Sequence, residues 1–232
     1  MTITRGFGEN PGSRPTEMST GDASIVSRLD DADLDAVWLV TGAANGLGRS
    51  LALSALNCLR RVVVTSNRLQ NLLGLAREYG SQLTQIEMDV NDELEDRVAV
   101  DRVMESFGRI DVVVNNAGFD DDWDSNASHA TVLERVQANL FGALWTSQSA
   151  IAYMKSAGRG QIVLVFALTE IDRYLNPELF DWAKRAFEGF GESLARETAP
   201  FGLQIAIAVP RDVSCRWTAG SSDEPYAILP LG

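Results

Sequence analysis

The chain has 232 residues, 45% of them hydrophobic and 22% charged, with a formal net charge of −12. That length suits one domain with a substantial core, and the negative charge disfavours a nucleic-acid backbone or an anionic membrane as partner. A single histidine excludes a multi-histidine metal site, Cys58 and Cys215 are too few and too far apart for a disulfide scaffold, and the absence of a spanning run or a signal peptide's apolar segment points to the cytoplasm.

Residues 1–35 carry Gly, Pro, Ser, Thr and Asp with little periodicity, so an extended or disordered leader is expected before a domain over 36–232. The apolar run Val37-Trp38-Leu39-Val40 then ends in the glycine-rich turn Thr41-Gly42-Ala43-Ala44-Asn45-Gly46-Leu47-Gly48, which opens into a helical stretch over 49–56. Strand, phosphate loop and helix follow one another. Glycine is wanted in such a turn because the backbone must bend sharply and come close to a pyrophosphate, whose charge is then held by free N–H groups at the helix's positive end. A plain βα turn is the bland alternative.

Further strands are expected over 61–66, 83–90, 110–115, 161–167 and 203–209, with helices over 68–79, 92–107 and 177–198. Val132, Val136, Leu140, Leu144, Ile151 and Met154 mark the apolar face of a long helix between the fourth and fifth strands. Strands alternating with helices imply a doubly wound, Rossmann-like α/β domain whose parallel sheet is covered on both faces. Pro230 ends the short run Tyr226-Ala227-Ile228-Leu229, so a seventh strand is not expected.

The spacing Thr-Gly-x-x-x-Gly-x-Gly, together with Asn115-Asn116-Ala117-Gly118 after another apolar run, resembles the short-chain dehydrogenase/reductase family. The resemblance covers residues 37–210 and implies that Gly42, Asn45, Gly46, Leu47 and Gly48 hold the pyrophosphate of a nicotinamide cofactor. It implies further that Asp89 and Val90 contact the adenine, that Asn116, Ala117 and Gly118 let the cofactor approach, and that Asn139 bends its helix and holds a water of the proton relay. At the end of the second strand an acidic side chain would bind the 2′-hydroxyl of NAD; this chain has Thr65, Ser66 and Asn67 followed by Arg68, which favours NADP(H). A surface arginine opening a helix is the other reading of Arg68.

The family's proton transfer needs a tyrosine, a lysine four residues later that lowers the tyrosine pKa and grips the ribose, and a serine after the fifth strand. Here Lys184 is kept, and it is one of only two lysines in the chain. Phe180 stands at the tyrosine position and Ala167 at the serine position, so both hydroxyls are gone. Family members also carry a substrate-covering segment after the sixth strand; Pro210-Arg211 departs from the usual Pro-Gly, and residues 212–232 leave little room for it. Tyr174, Thr169, Glu170 and Asp181 are the nearby polar groups. None has the spacing of the missing tyrosine.

Asp120-Asp121-Asp122-Trp123-Asp124 reads as a solvated acidic run, not a metal site, and His129 as a helix-start residue. Trp145, Trp182 and Phe187 divide between interface anchors and core packing. The chain also looks like the reductase-like pairs of actinobacterial, aminocoumarin-type antibiotic pathways. That resemblance implies a non-catalytic partner of an active NADP-dependent paralogue in a hetero-oligomer, or else a homodimer, with a carrier protein presenting a β-hydroxy amino acid. A stand-alone NADP(H)-dependent reductase, a non-redox isomerase or cyclase, and a nucleotide-sensing regulator are the alternatives.

Overall fold

The computed structural model describes residues 35–44, 46–58, 60–117, 137–166, 177–210 and 226–231. Seven strands form one sheet in the order β3-β2-β1-β4-β5-β6-β7: β1 (Val37–Val40), β2 (Arg61–Ser66), β3 (Leu83–Glu87), β4 (Val112–Asn115), β5 (Gly160–Val165), β6 (Leu203–Pro210) and β7 (Tyr226–Leu231). The first six pair parallel, as expected for strands linked by helical crossovers. The helices are α1 (Gly46–Asn57), α2 (Leu73–Tyr79), α3 (Glu93–Phe107), α4 (Ala143–Ala157) and α5 (Pro177–Thr198).

Strand period places alternate side chains in two cores. Val37 and Leu39 face one layer, with Val100 and Val103 of α3, Ile151 and Met154 of α4, and Phe187 and Leu194 of α5. Trp38 and Val40 face the other, with Leu51, Ala55 and Leu56 of α1 and Leu75 of α2. Both faces of β1 are therefore buried, which is why the strand reads as an unbroken apolar run.

β7 corrects the expectation that the seventh strand is missing. It runs antiparallel to β6, with Ile205 opposite Leu231, Ala206 opposite Pro230 and Pro210 opposite Tyr226. Pro230 does not end it, because an edge strand with a single neighbour uses only half of its N–H groups in the ladder. The segment over 211–225, where the reduced substrate cover was expected, lies outside the described residues, as do the leader over 1–34 and the acidic run around Asp120.

Three boundaries also differ from the hydrophobic pattern. The element after β2 opens as a 3₁₀ turn (Leu69–Leu72) before α2, since Ser66 Oγ accepts the Arg68 N–H at 3.1 Å and closes a tight turn first. β3 stops at Glu87 because Asp89 turns the chain, its carboxylate accepting the Asn91 N–H at 2.9 Å. β4 begins only at Val112, and the Asp111 before it is a buried clamp. Its carboxylate accepts the Val37 N–H at 2.9 Å and two guanidinium bonds from Arg109, at 2.7 and 2.8 Å, while its carbonyl accepts the Gln161 N–H. Asp111 thus joins the starts of β1, β4 and β5. No helix among the described residues is long and apolar enough to cross a membrane.

Candidate functional site

Strand order reverses between β1 and β4, so the crevice at their carboxyl ends is where an open parallel sheet of this kind takes its ligand. Two segments line it there, Thr41–Ala44 after β1 and Asn116–Ala117 after β4, and Thr41 joins them. Its Oγ1 accepts the N–H groups of Asn116 at 3.0 Å and Ala117 at 3.1 Å and donates to the Val114 carbonyl at 3.4 Å. Asn116 returns the link, its side-chain amide donating to the Gly42 carbonyl at 3.1 Å.

Two glycines are required by this contact. Gly42 has φ +64°, and a Cβ there would come within 2.8 Å of the Ala117 Cα. At Gly48 a Cβ would run into the Asn116 amide and lie 2.6 Å from the Gly42 carbonyl oxygen. Gly46 behaves differently, because a Cβ on it would meet nothing within 4 Å: this face of the turn is open. α1 starts at the open glycine with no acidic side chain in its first turn. Leu47 is half-buried and packs on the α1 core, so it contributes backbone to the loop and its side chain to the interior. The residues present fit a pyrophosphate.

Arg68, which follows the exposed Asn67 at the rim beyond β2, is exposed and makes no ion pair among the described residues. Asp89 is exposed across the sheet, its N–H held by Glu95 Oε2 at 2.7 Å. Val90 is half-buried against the first core.

The long helix expected after β4 is not uniform. Residues Ala138–Gly142 form a π-turn that passes directly into α4. The wide turn carries Asn139, which is 2% exposed; its amide lies 3.4 Å from the carbonyls of Ala117 and Val165, and its Oδ1 has no partner among the described residues. Asn139 therefore bridges the ends of β4 and β5 with one acceptor left over, a position suited to a water. Gly142 closes the π-turn against Val90, where a Cβ would be 2.9 Å from both the Val90 Cβ and its carbonyl oxygen. Asn115 donates to Ser147 at 2.9 Å and ties β4 to α4.

Lys184 lies half-buried on α5, 3.9 Å from Glu188. Phe180 precedes it by one helical turn, so the backbone spacing of the resemblance is realised, although the ring itself lies outside the described side chains. Asn45, Gly118 and Ala167 fall outside the described residues, and so do Thr169, Glu170, Tyr174 and His129. Asp181 is exposed. The aromatic residues separate: Phe187 is core, 5.3 Å from Phe166 between ring centres, whereas Trp182 is 56% exposed and Trp145 is half-buried beside Phe141.

Thr41, Gly142 and the buried pair Asp96–Thr146 were not singled out as site residues by motif. Asp96 did leave a signal: it stands at the head of the apolar stripe of α3, four residues before Val100.

The short chain dehydrogenase family model matches residues 36–225. Oxidoreductase BOA17 of Botryotinia fuckeliana is 31% identical over 202 residues, covering 84% of this chain and 72% of that protein. The 3-oxoacyl-[acyl-carrier-protein] reductase FabG of Salmonella typhimurium is 24% identical over 201 residues, 82% of this chain and 79% of that one. A solved short-chain dehydrogenase from Streptomyces avermitilis superposes with a TM-score of 0.69 at 27% identity, over 82% of this chain and 70% of that chain. With its crevice, glycine turn and Asn-Asn-Ala segment arranged in this way, the chain belongs to the short chain dehydrogenase family.

Proposed function

We propose that the chain is an NADP(H)-binding dehydrogenase subunit that has lost its own proton donor and works beside an active paralogue in a hydroxyl/keto redox step. One observation carries this reading: Lys184 is retained on α5 while the residue one turn before it is Phe180, and Ala167 stands where the family has its serine. Hydrocarbon at both places removes the two groups that give or take the substrate's proton in the family, a contribution typically worth about 10²–10⁴-fold in rate.

Cofactor binding is a separate matter. The turn at Gly42, Gly46 and Gly48 would hold the pyrophosphate, Arg68 the 2′-phosphate, Asp89 and Val90 the adenine, and Lys184 the nicotinamide ribose, with Asn116 and Ala117 framing the crevice. When bound, NADP(H) supplies or accepts the hydride. A relative named for acyl-carrier-protein substrates supports a carrier-tethered substrate; a β-hydroxy amino acid in cytoplasmic antibiotic biosynthesis rests on the resemblance to the aminocoumarin-type pairs alone.

The test is co-expression with an intact reductase encoded beside it. The two proteins are expected to elute together, the pure chain to bind NADPH with no carbonyl turnover, and Phe180→Tyr with Ala167→Ser to raise that turnover by roughly 10²-fold or more. Brisk turnover by the unaccompanied wild type would overturn the proposal in favour of a stand-alone reductase.

A further inference from the structure

α3 lays Ala99, Val100 and Val103 into the first core, and the helical repeat puts residue 96 on the same stripe. A hydrocarbon is expected there, yet the chain places Asp96, which is 0% exposed. Its Oδ1 accepts the hydroxyl of Thr146 in α4, and its Oδ2 has no hydrogen-bond partner among the described residues. Burying a carboxyl is costly unless its oxygens are hydrogen-bonded, and here, among the described residues, one of the two is not.

The pair sits one turn in from the ends of two segments that meet near the crevice: Asp92, the N-cap of α3, precedes Asp96 by four residues, and Gly142 precedes Thr146 by four. Towards the rim, the neighbouring Glu95 holds the Asp89 N–H, and Asp92 caps α3 by accepting the Leu94 N–H at 2.9 Å. Towards α4, Thr146 follows Gly142 by four residues, and Gly142 is the π-turn residue seated on Val90. Asp96–Thr146 and Val90–Gly142 are two successive contacts between the same two segments.

We propose that the buried Asp96–Thr146 pair is a proton-dependent latch: with its carboxyl neutral, α3 seats against α4 and holds the adenine rim, Asp89–Val90, on the π-turn carrying Asn139, and so sets how tightly the crevice holds a dinucleotide. The effect on affinity rests on the reading that this crevice binds NADP(H). Asp96 touches no cofactor position itself; it is a positioning residue.

Burial favours the neutral carboxyl most, and the like charges of Asp89, Asp92 and Glu95 add to it against the opposing bond from Thr146, so the pKa is pushed up to about 7. From α4 the facing group is the uncharged Thr146. The next titratable groups on that helix, Tyr153 and Lys155, lie two or more turns on and are engaged with Asp101 and Glu197. Arg97 is exposed on α3. Deprotonation thus sets a charge, with one oxygen unpaired, into an apolar seam beside three carboxylates, and the start of α3 is driven off α4.

The full chain is titrated by nicotinamide fluorescence with NADPH and, separately, with NADH, at about pH 5.5 and about pH 8.5, well to either side of that pKa, as wild type and as Asp96→Asn. NADH controls for the 2′-phosphate, which titrates in its own right. Amide hydrogen exchange over 89–96 and 137–146 is followed in the same proteins without nucleotide. Wild type is expected to bind both nucleotides about threefold or more tightly at the lower pH, and Asp96→Asn to bind equally well at both. In the two segments, wild type is expected to exchange about threefold or more faster than Asp96→Asn at the higher pH and at the same rate at the lower. Thr146→Val is expected to exchange fast at both. Identical exchange in wild type and Asp96→Asn at both pH values overturns the latch, and so does a difference spread evenly over the whole chain. If wild type binds neither nucleotide, the dinucleotide reading fails and the affinity claim with it, while the exchange comparison still decides whether Asp96 seats the rim.

Discussion

The hydroxyl of Thr41 accepts the backbone N–H of Asn116 at 3.0 Å, joining residues 75 positions apart and closing the crevice floor between β1 and β4. The same oxygen takes the Ala117 N–H, so one side chain sets the spacing of both loops against which a cofactor would lie. Thr41 is 1% exposed.

Thr41→Val keeps the shape and removes the acceptor, leaving two N–H groups without their partner. Urea unfolding is expected to show a loss of roughly 2–4 kcal/mol, since each buried unsatisfied donor costs about 1–3 kcal/mol. NADPH fluorescence titration is expected to show weaker binding as well, because the Gly42 turn loses its brace. Unchanged affinity in a folded variant would separate Thr41 from the site.

Asp111→Ala is expected to lose stability without losing affinity. The clamp it forms with Arg109 and the Val37 N–H lies at the starts of the strands, across the sheet from the crevice. Removing it leaves the buried Val37 N–H without its acceptor and takes two bonds from Arg109, so a stability loss of about 1–3 kcal/mol is expected by urea unfolding, with NADPH affinity in the folded protein unchanged.

Arg68→Ala is expected to weaken NADPH binding by roughly 10- to 100-fold and to leave NADH binding unaltered, the signature of a lost charge-assisted bond to the 2′-phosphate. Equal losses for the two nucleotides would assign Arg68 to general electrostatics, and no loss for either would make it a surface residue. Paired fluorescence titrations decide.

Asp96 also makes stability depend on pH, in a direction opposite to that of a salt-bridged acid. Its folded pKa, about 7, lies above the ordinary 3.8, so the folded chain holds the proton more tightly than the unfolded chain. The contribution is fully present below about pH 4 and is lost as pH rises to 7, a swing of at most about 4 kcal/mol. Asp96→Val with Thr146→Val is expected to remove this slope and to raise the melting temperature at pH 8, because hydrocarbon replaces a buried carboxyl that is only partly hydrogen-bonded. Melting curves from pH 5 to pH 8 for the two proteins provide the check.

Repeating apolar runs and the glycine turn were enough to read the six parallel strands and the crevice, because strands buried on both faces have few alternatives to a continuous Val/Ile/Leu composition. β7 was not legible that way. Pro230 reads as a breaker along the chain, and only its place at the sheet edge, with β6 on one side, makes it compatible with a strand. The π-turn at Ala138–Gly142 was equally hidden, since its cause is the close seat of Gly142 on Val90 across the fold.

What the sequence by itself determined is chemical identity: which positions carry glycine, that Lys184 stands four residues after Phe180, and that the helix over 92–107 is rich in acid. What only the tertiary structure decided is which of those identities meet. Thr41 with Asn116, Asp111 with Val37, and Asp96 with Thr146 are pairs separated by 75, 74 and 50 residues. Hydrogen bonds at such separations leave no periodic trace in a chain, because they depend on the order in which strands and helices are laid side by side and not on the local repeat of any one of them.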